Sequence, residues 1–110
     1  MVIPERQAKT VSEVRNVAID FRGKLDDGEL LTGSPTVTEV GTANLTISNQ
    51  KVNTVALIIE GQSVDIGMAV QFKVLGGNAG TNYKIRISVV TTASPAQTLI
   101  EDVILRVIAD

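Results

Sequence analysis

What most constrains this chain is an alternation of aliphatic and polar residues that restarts after each cluster of turn-forming residues. Tyr83, Ile85, Ile87 and Val89 share one face of an extended segment, and Lys84, Arg86 and Ser88 share the other. Successive side chains of a strand point to opposite faces, so this spacing makes one side for a core and one for water. The pattern recurs at Val17, Ile19 and Phe21, at Leu45 and Ile47, at Val55, Leu57 and Ile59, and at Val103, Leu105 and Val107. Val64, Ile66, Met68, Val70, Phe72 and Val74 alternate over eleven residues and are expected to form one long strand, with Gly67 as its weak point.

Turn residues separate these runs. Asp26-Asp27-Gly28-Glu29, Asn49-Gln50-Lys51 and Glu60-Gly61-Gln62-Ser63 each read as a turn. Gly76-Gly77-Asn78-Ala79-Gly80-Thr81-Asn82 is the strongest loop, and Thr91 to Thr98, containing Pro95, leads into the last strand. Pro35 has no N–H for a ladder and marks an edge or a bend. About seven short strands at near-regular spacing predict an all-β fold, an immunoglobulin/fibronectin III-like antiparallel β-sandwich. A length of 110 residues suits one such domain. Residues 13–110 are assigned to it. Residues 1–12 have little apolar periodicity and are expected as an N-terminal arm, extended or contacting a neighbour. Only Glu5 to Val14 could hold a helical turn.

Composition narrows the function. The net charge is −2 and the ten basic residues are scattered, whereas a nucleic-acid surface clusters Lys and Arg to neutralise phosphates. With neither Cys nor His, disulfides, the usual nucleophile–base pairs and the nitrogen and sulfur ligands of zinc, copper or non-haem iron cannot be assembled. No apolar run reaches the roughly 18 residues of a membrane span. The first residues lack the apolar core of a secretion signal, so synthesis in a cytoplasm is expected.

Three segments carry residues that could do chemistry. Asp26-Asp27-Gly28-Glu29 could offer oxygens to calcium, but it lacks alternating acidic spacing and reads as an acidic turn. Glu101-Asp102 reads as a solvated strand start. The glycine-rich segment is followed by an alternating strand and not by a helix, so it reads as a turn rather than a phosphate cradle. No catalytic, cofactor-binding or metal-ligating residue is assigned, and no cofactor is expected. The chain is expected not to be an enzyme.

Two resemblances follow. Ala79-Gly80-Thr81-Asn82-Tyr83-Lys84-Ile85-Arg86-Ile87 is similar to the segment entering the sixth strand of fibronectin type III domains. That resemblance implies a tyrosine corner, in which the Tyr83 hydroxyl bonds a backbone group upstream. The core Trp usual in that family is missing. The second covers roughly residues 9–108. It runs through Lys9-Thr10-Val11-Ser12-Glu13-Val14, Ala18-Ile19-Asp20-Phe21, Leu75 to Tyr83, Val89-Val90-Thr91-Thr92 and Val103 to Val107. In this the chain resembles small proteins of tailed bacteriophages, of the fibre–tail adaptor or Ig-like virion type. Phe21 stands where Trp is more usual, and Gly33 to Gln62 match only in being strand-like.

The resemblance implies a structural protein of the virion, made in the host cytoplasm and connecting particle components as a tail or neck adaptor for fibres. Its implied partners are tail, neck, fibre or major capsid proteins, in a symmetric homo-oligomer, with no nucleic acid and no membrane. The alternative is a capsid decoration (cement) protein. A carbohydrate-binding or adhesion module is a further reading, weakened by the lack of aromatics to spare for stacking on sugars.

Overall fold

The structure is a computed structural model and describes residues 5–109. Nine strands and one 3-10 turn make up the described residues: β1 (Glu5–Thr10), β2 (Arg15–Asp20), the turn Arg22–Lys24, β3 (Leu31–Val40), β4 (Leu45–Val52), β5 (Leu57–Ile59), β6 (Gln62–Val64), β7 (Ala69–Gly76), β8 (Thr81–Thr91) and β9 (Thr98–Ile108). They form a four-stranded sheet in the order β1-β9-β8-β3, a three-stranded sheet in the order β2-β7-β4, and the small hairpin β5-β6.

The all-β sandwich is therefore as expected, and the alternation decides which faces meet. Tyr83, Ile85, Ile87 and Val89 of β8 and Val103, Leu105 and Val107 of β9 form one buried cluster with Val17, Ile19, Val70, Phe72 and Val74 of the opposite sheet and Phe21 just beyond β2. The registers Tyr83↔Leu105 and Ile85↔Val103 keep like faces together along the central pair, so a slip by one residue would turn these apolar rows to water.

Four expectations change. Residues 1–4 of the expected arm lie outside the described residues, and from Glu5 the chain is not helical but extended, as β1. β1 pairs in parallel with β9, from Glu5↔Val103 to Thr10↔Ile108, so the sandwich is not wholly antiparallel. Pairing with a neighbour, not its own apolar content, makes this segment a strand. The long strand expected over 64–74 is broken: β6 ends at Val64 and β7 begins at Ala69, with Gly67 between them at φ +81°. The expected turn Glu60-Gly61-Gln62-Ser63 shrinks to Glu60 and Gly61, at φ +51° and +78°, and Gln62 opens β6. Positive φ at both central residues is what a tight hairpin needs.

The edges differ. Along β3 the register jumps between Thr32 and Thr36, with Pro35 inside the bulge, as an edge strand permits. β4 bulges between Ser48 and Lys51, with Asn49 at φ +55°. The other two edges, β1 and β2, pair without a break.

Candidate interaction surfaces

The sandwich has two ends. One gathers residues 11–14, 41–44 and 77–80, here the glycine end; the other gathers 21–30, 53–68 and 92–97, here the hairpin end.

At the glycine end the turn after β7 passes close to its neighbours. A Cβ on Gly76 would sit 2.8 Å from the Asn44 carbonyl oxygen, and one on Gly77 would sit 2.8 Å from Val107 Cγ2, both at positive φ. Only glycine fits this approach. The Tyr83 hydroxyl accepts from the Asn78 N–H at 2.8 Å and from Asn44 Nδ2 at 3.2 Å, which is the upstream backbone bond that the Gly-Thr-x-Tyr segment implied. Lys9 is buried, and its Nζ donates to the carbonyls of Thr10, Val11 (3.1 Å) and Gly76 (2.8 Å). All three ammonium donors are thus used on backbone, which ties the end of β1 to the end of β7. Glu39 closes the β3–β4 turn, with Oε1 accepting from Leu45 N (2.8 Å) and Oε2 from Asn44 N (2.8 Å) and the Thr42 hydroxyl. Burial raises the Glu39 pKa, but these hydrogen bonds outweigh it and hold the carboxyl below the usual carboxylate range.

At the hairpin end one neutral side chain does the corresponding work. Asn53 is buried and donates through Nδ2 to the carbonyls of Val55 and Asp65, both at 2.9 Å. Its Oδ1 accepts the N–H groups of Gly67 (3.0 Å), Met68 (3.1 Å) and Ala69 (3.0 Å). The loop that interrupts the expected long strand is therefore organised around one amide. Arg22 fixes the hairpin: it grips both oxygens of Asp20 and donates to the Ser63 carbonyl at 2.9 Å and Gln62 Oε1 at 2.8 Å. Burial raises the Asp20 pKa, and the Arg22 hydrogen bonds and charge overcome this and leave it lowered.

So positioned, the hairpin carries Ile58 74% exposed beside Glu60, with Val55 (61%) and Ile66 (57%) close by in sequence. Of the three acidic or glycine-rich segments, Asp26 to Glu29 is a turn: Asp26 N donates to Glu29 Oε1 at 3.0 Å, and no group of three acidic side chains suited to a metal forms among the described residues. Glu101 and Asp102 serve ion pairs, Glu101 with Lys24 at 3.2 Å and Asp102 with Lys84 (3.4 Å) and Arg86 (2.9 Å). The roles of Lys9 and Asn53 were missed, because nothing local marks the backbone groups they also hold further along the chain, at Gly76 for Lys9 and from Asp65 to Ala69 for Asn53. A half-open groove crosses the outer face of the three-stranded sheet at the β4 bulge, between Asn16, Ala18, Asn49, Lys51, Gln71 and Lys73.

Comparisons with known proteins fit this architecture. No curated protein matches the chain at a significant level. A solved structure, a nucleoside hydrolase-related hypothetical protein from Saccharophagus degradans associated with carbohydrate metabolism, is similar in fold at a TM-score of 0.54 and 15% identity. The similarity covers 94% of this chain but 22% of that one, so the chain spans about a fifth of its length and the likeness concerns the fold alone. Residues 9–106 match the family described as podophage GP4 fiber-tail adaptor protein gp77. With nearly the whole sandwich inside the match, the chain belongs to the gp77 family of phage fibre–tail adaptor proteins.

Proposed function

We propose that this chain is a non-enzymatic structural component of a tailed-phage virion that links fibre proteins to the tail by protein–protein contact. The family match over residues 9–106 carries this reading. The structure supports it with physical means. The molecule extends 44 Å along its long axis and 28 Å across, with loop clusters at both ends, so one end can seat on a tail component while the other holds a fibre. β2 is an unbulged edge with its outer N–H and C=O groups available for an added strand, whereas the bulges in β3 and β4 discourage pairing there.

The test is co-sedimentation of the purified chain with tail particles that lack it and, separately, with capsids, followed by addition of fibres. Binding to tails that restores fibre attachment is the expected result. Binding to capsids alone would overturn the adaptor role in favour of head decoration.

A further inference from the structure

One row of backbone groups on β2 is unused. The Phe21 N–H donates to the Met68 carbonyl just past the paired positions, and bonded positions alternate along an antiparallel ladder. Arg15, Val17 and Ile19 therefore bond β7, while the N–H and C=O groups of Asn16, Ala18 and Asp20 point off the free edge. No strand among the described residues covers them, since β2 ends the order β2-β7-β4.

The side chains of the same residues stand on the outer face, where the groove at the β4 bulge opens. Asn16 lies opposite Lys73, and Ala18 lies opposite Gln71, with Lys51 beyond it on β4. The groove has a volume of about 290 Å³, and its lining includes Lys51 and Lys73 but no carboxylate. Neither lysine has an ion pair among the described residues, and the side-chain amides of Asn16, Asn49 and Gln71 make no hydrogen bond there. On the rest of the surface Arg22, Lys24, Lys84 and Arg86 each face a carboxylate. Asp20, the carboxylate of β2 itself, is already held by Arg22.

We propose that this edge and groove form one binding site for an extended acidic segment of another virion protein, which adds to β2 as a further strand and turns its carboxylates towards Lys73 and Lys51. The edge supplies main-chain hydrogen bonds and the groove supplies the preference for charge. An added strand lies about 10 Å from β7, two strand spacings away, a span that a glutamate and a lysine close between them. They meet over Ala18, whose methyl raises no barrier between edge and groove. Pairing two β2 edges would bring like charges together, so the complement is a foreign chain. That this chain is a virion protein rests on the adaptor reading; the site itself does not.

The test is titration of the full chain with a short synthetic peptide alternating glutamate and threonine, followed by amide NMR. The Asn16, Ala18 and Asp20 signals should shift and exchange more slowly with solvent, and affinity should fall as salt is added. Lys73→Glu should weaken binding by about tenfold or more, and should favour the same peptide with lysine replacing glutamate. Ala18→Pro removes an outward N–H without touching the ladder to β7, and should abolish binding. Circular dichroism checks that each variant is folded; if Ala18→Pro is not, the charge reversal decides. A peptide that does not bind, shifts confined to other strands, or a Lys73→Glu variant that binds like wild type would each overturn the proposal. So would polygalacturonate moving the groove signals where the peptide does not, which would make this a glycan site. A chain that attaches fibres to tails but ignores the peptide would sink strand addition and leave the adaptor role standing. Peptide binding without attachment to tails or fibres would do the reverse.

Discussion

The two ends of the sandwich solve one problem by different chemistry. Each must satisfy backbone groups that leave a sheet without reaching water. At the hairpin end the loop from Asp65 to Ala69 hangs on a single uncharged amide, Asn53, with five hydrogen bonds, beside the Arg22–Asp20 pair that holds the β5-β6 hairpin. The glycine end divides the task among the Lys9 ammonium, the Glu39 carboxylate and the Tyr83 hydroxyl. A neutral clamp concentrates the cost of failure in one residue and does not respond to pH. Charged clamps spread that cost and tie it to protonation.

The sharpest test removes the neutral clamp. Asn53→Ala removes the side-chain partner of three N–H groups and two carbonyls; Gly67 N–H keeps the Asn53 carbonyl and Met68 N–H keeps the Asp65 carbonyl, and urea titration should show a loss of about 3 kcal/mol. Asn53→Asp keeps the acceptor and should lose less. Lys9→Met retains most of the stem but strands the Val11 and Gly76 carbonyls, while that of Thr10 keeps the Glu13 N–H, and about 2 kcal/mol is expected by the same titration. If Lys9→Met proves the more damaging, the charged end is the principal clamp and the comparison reverses. Tyr83→Phe removes only the hydroxyl that Asn78 and Asn44 share, for about 1 kcal/mol, read as a small drop in thermal midpoint.

Glu39 gives the smallest effect and the one with a pH signature. Its folded pKa is lowered, so its contribution is fully present above the unfolded value of about 4.3 and is lost as pH falls through the folded value. Stability measured against pH should therefore decline through the acid range, and less steeply in Glu39→Gln. The decline persists in that variant because Asp20 and Asp102 are also lowered: burial raises Asp20 but the Arg22 contacts prevail, and the Arg86 hydrogen bond leads at Asp102. An unchanged slope in Glu39→Gln would separate the glycine end from acid sensitivity.

Much of the sandwich was legible because burial follows the strand period. Tyr83 to Val89 and Val103 to Val107 face inward as their alternation requires, and the glycines after β7 turn as their freedom from a Cβ allows. β5 and β6 were not, since three residues each hold too little pattern and their short turn depends on Glu60 adopting a left-handed backbone. β1 was missed because its state is imposed by β9 across nearly a hundred residues. Asn53 and Lys9 look like surface residues until distant backbone groups surround them.

The parallel pairing of β1 with β9 has a mechanical consequence. Tension that enters ahead of β1 and leaves beyond β9 pulls these neighbours in opposite directions along their length. Six paired positions then share the load at once in shear, where an antiparallel arrangement would peel open one rung at a time. A part strung between a fibre and a tail by its two chain ends would resist such a pull with its whole terminal ladder.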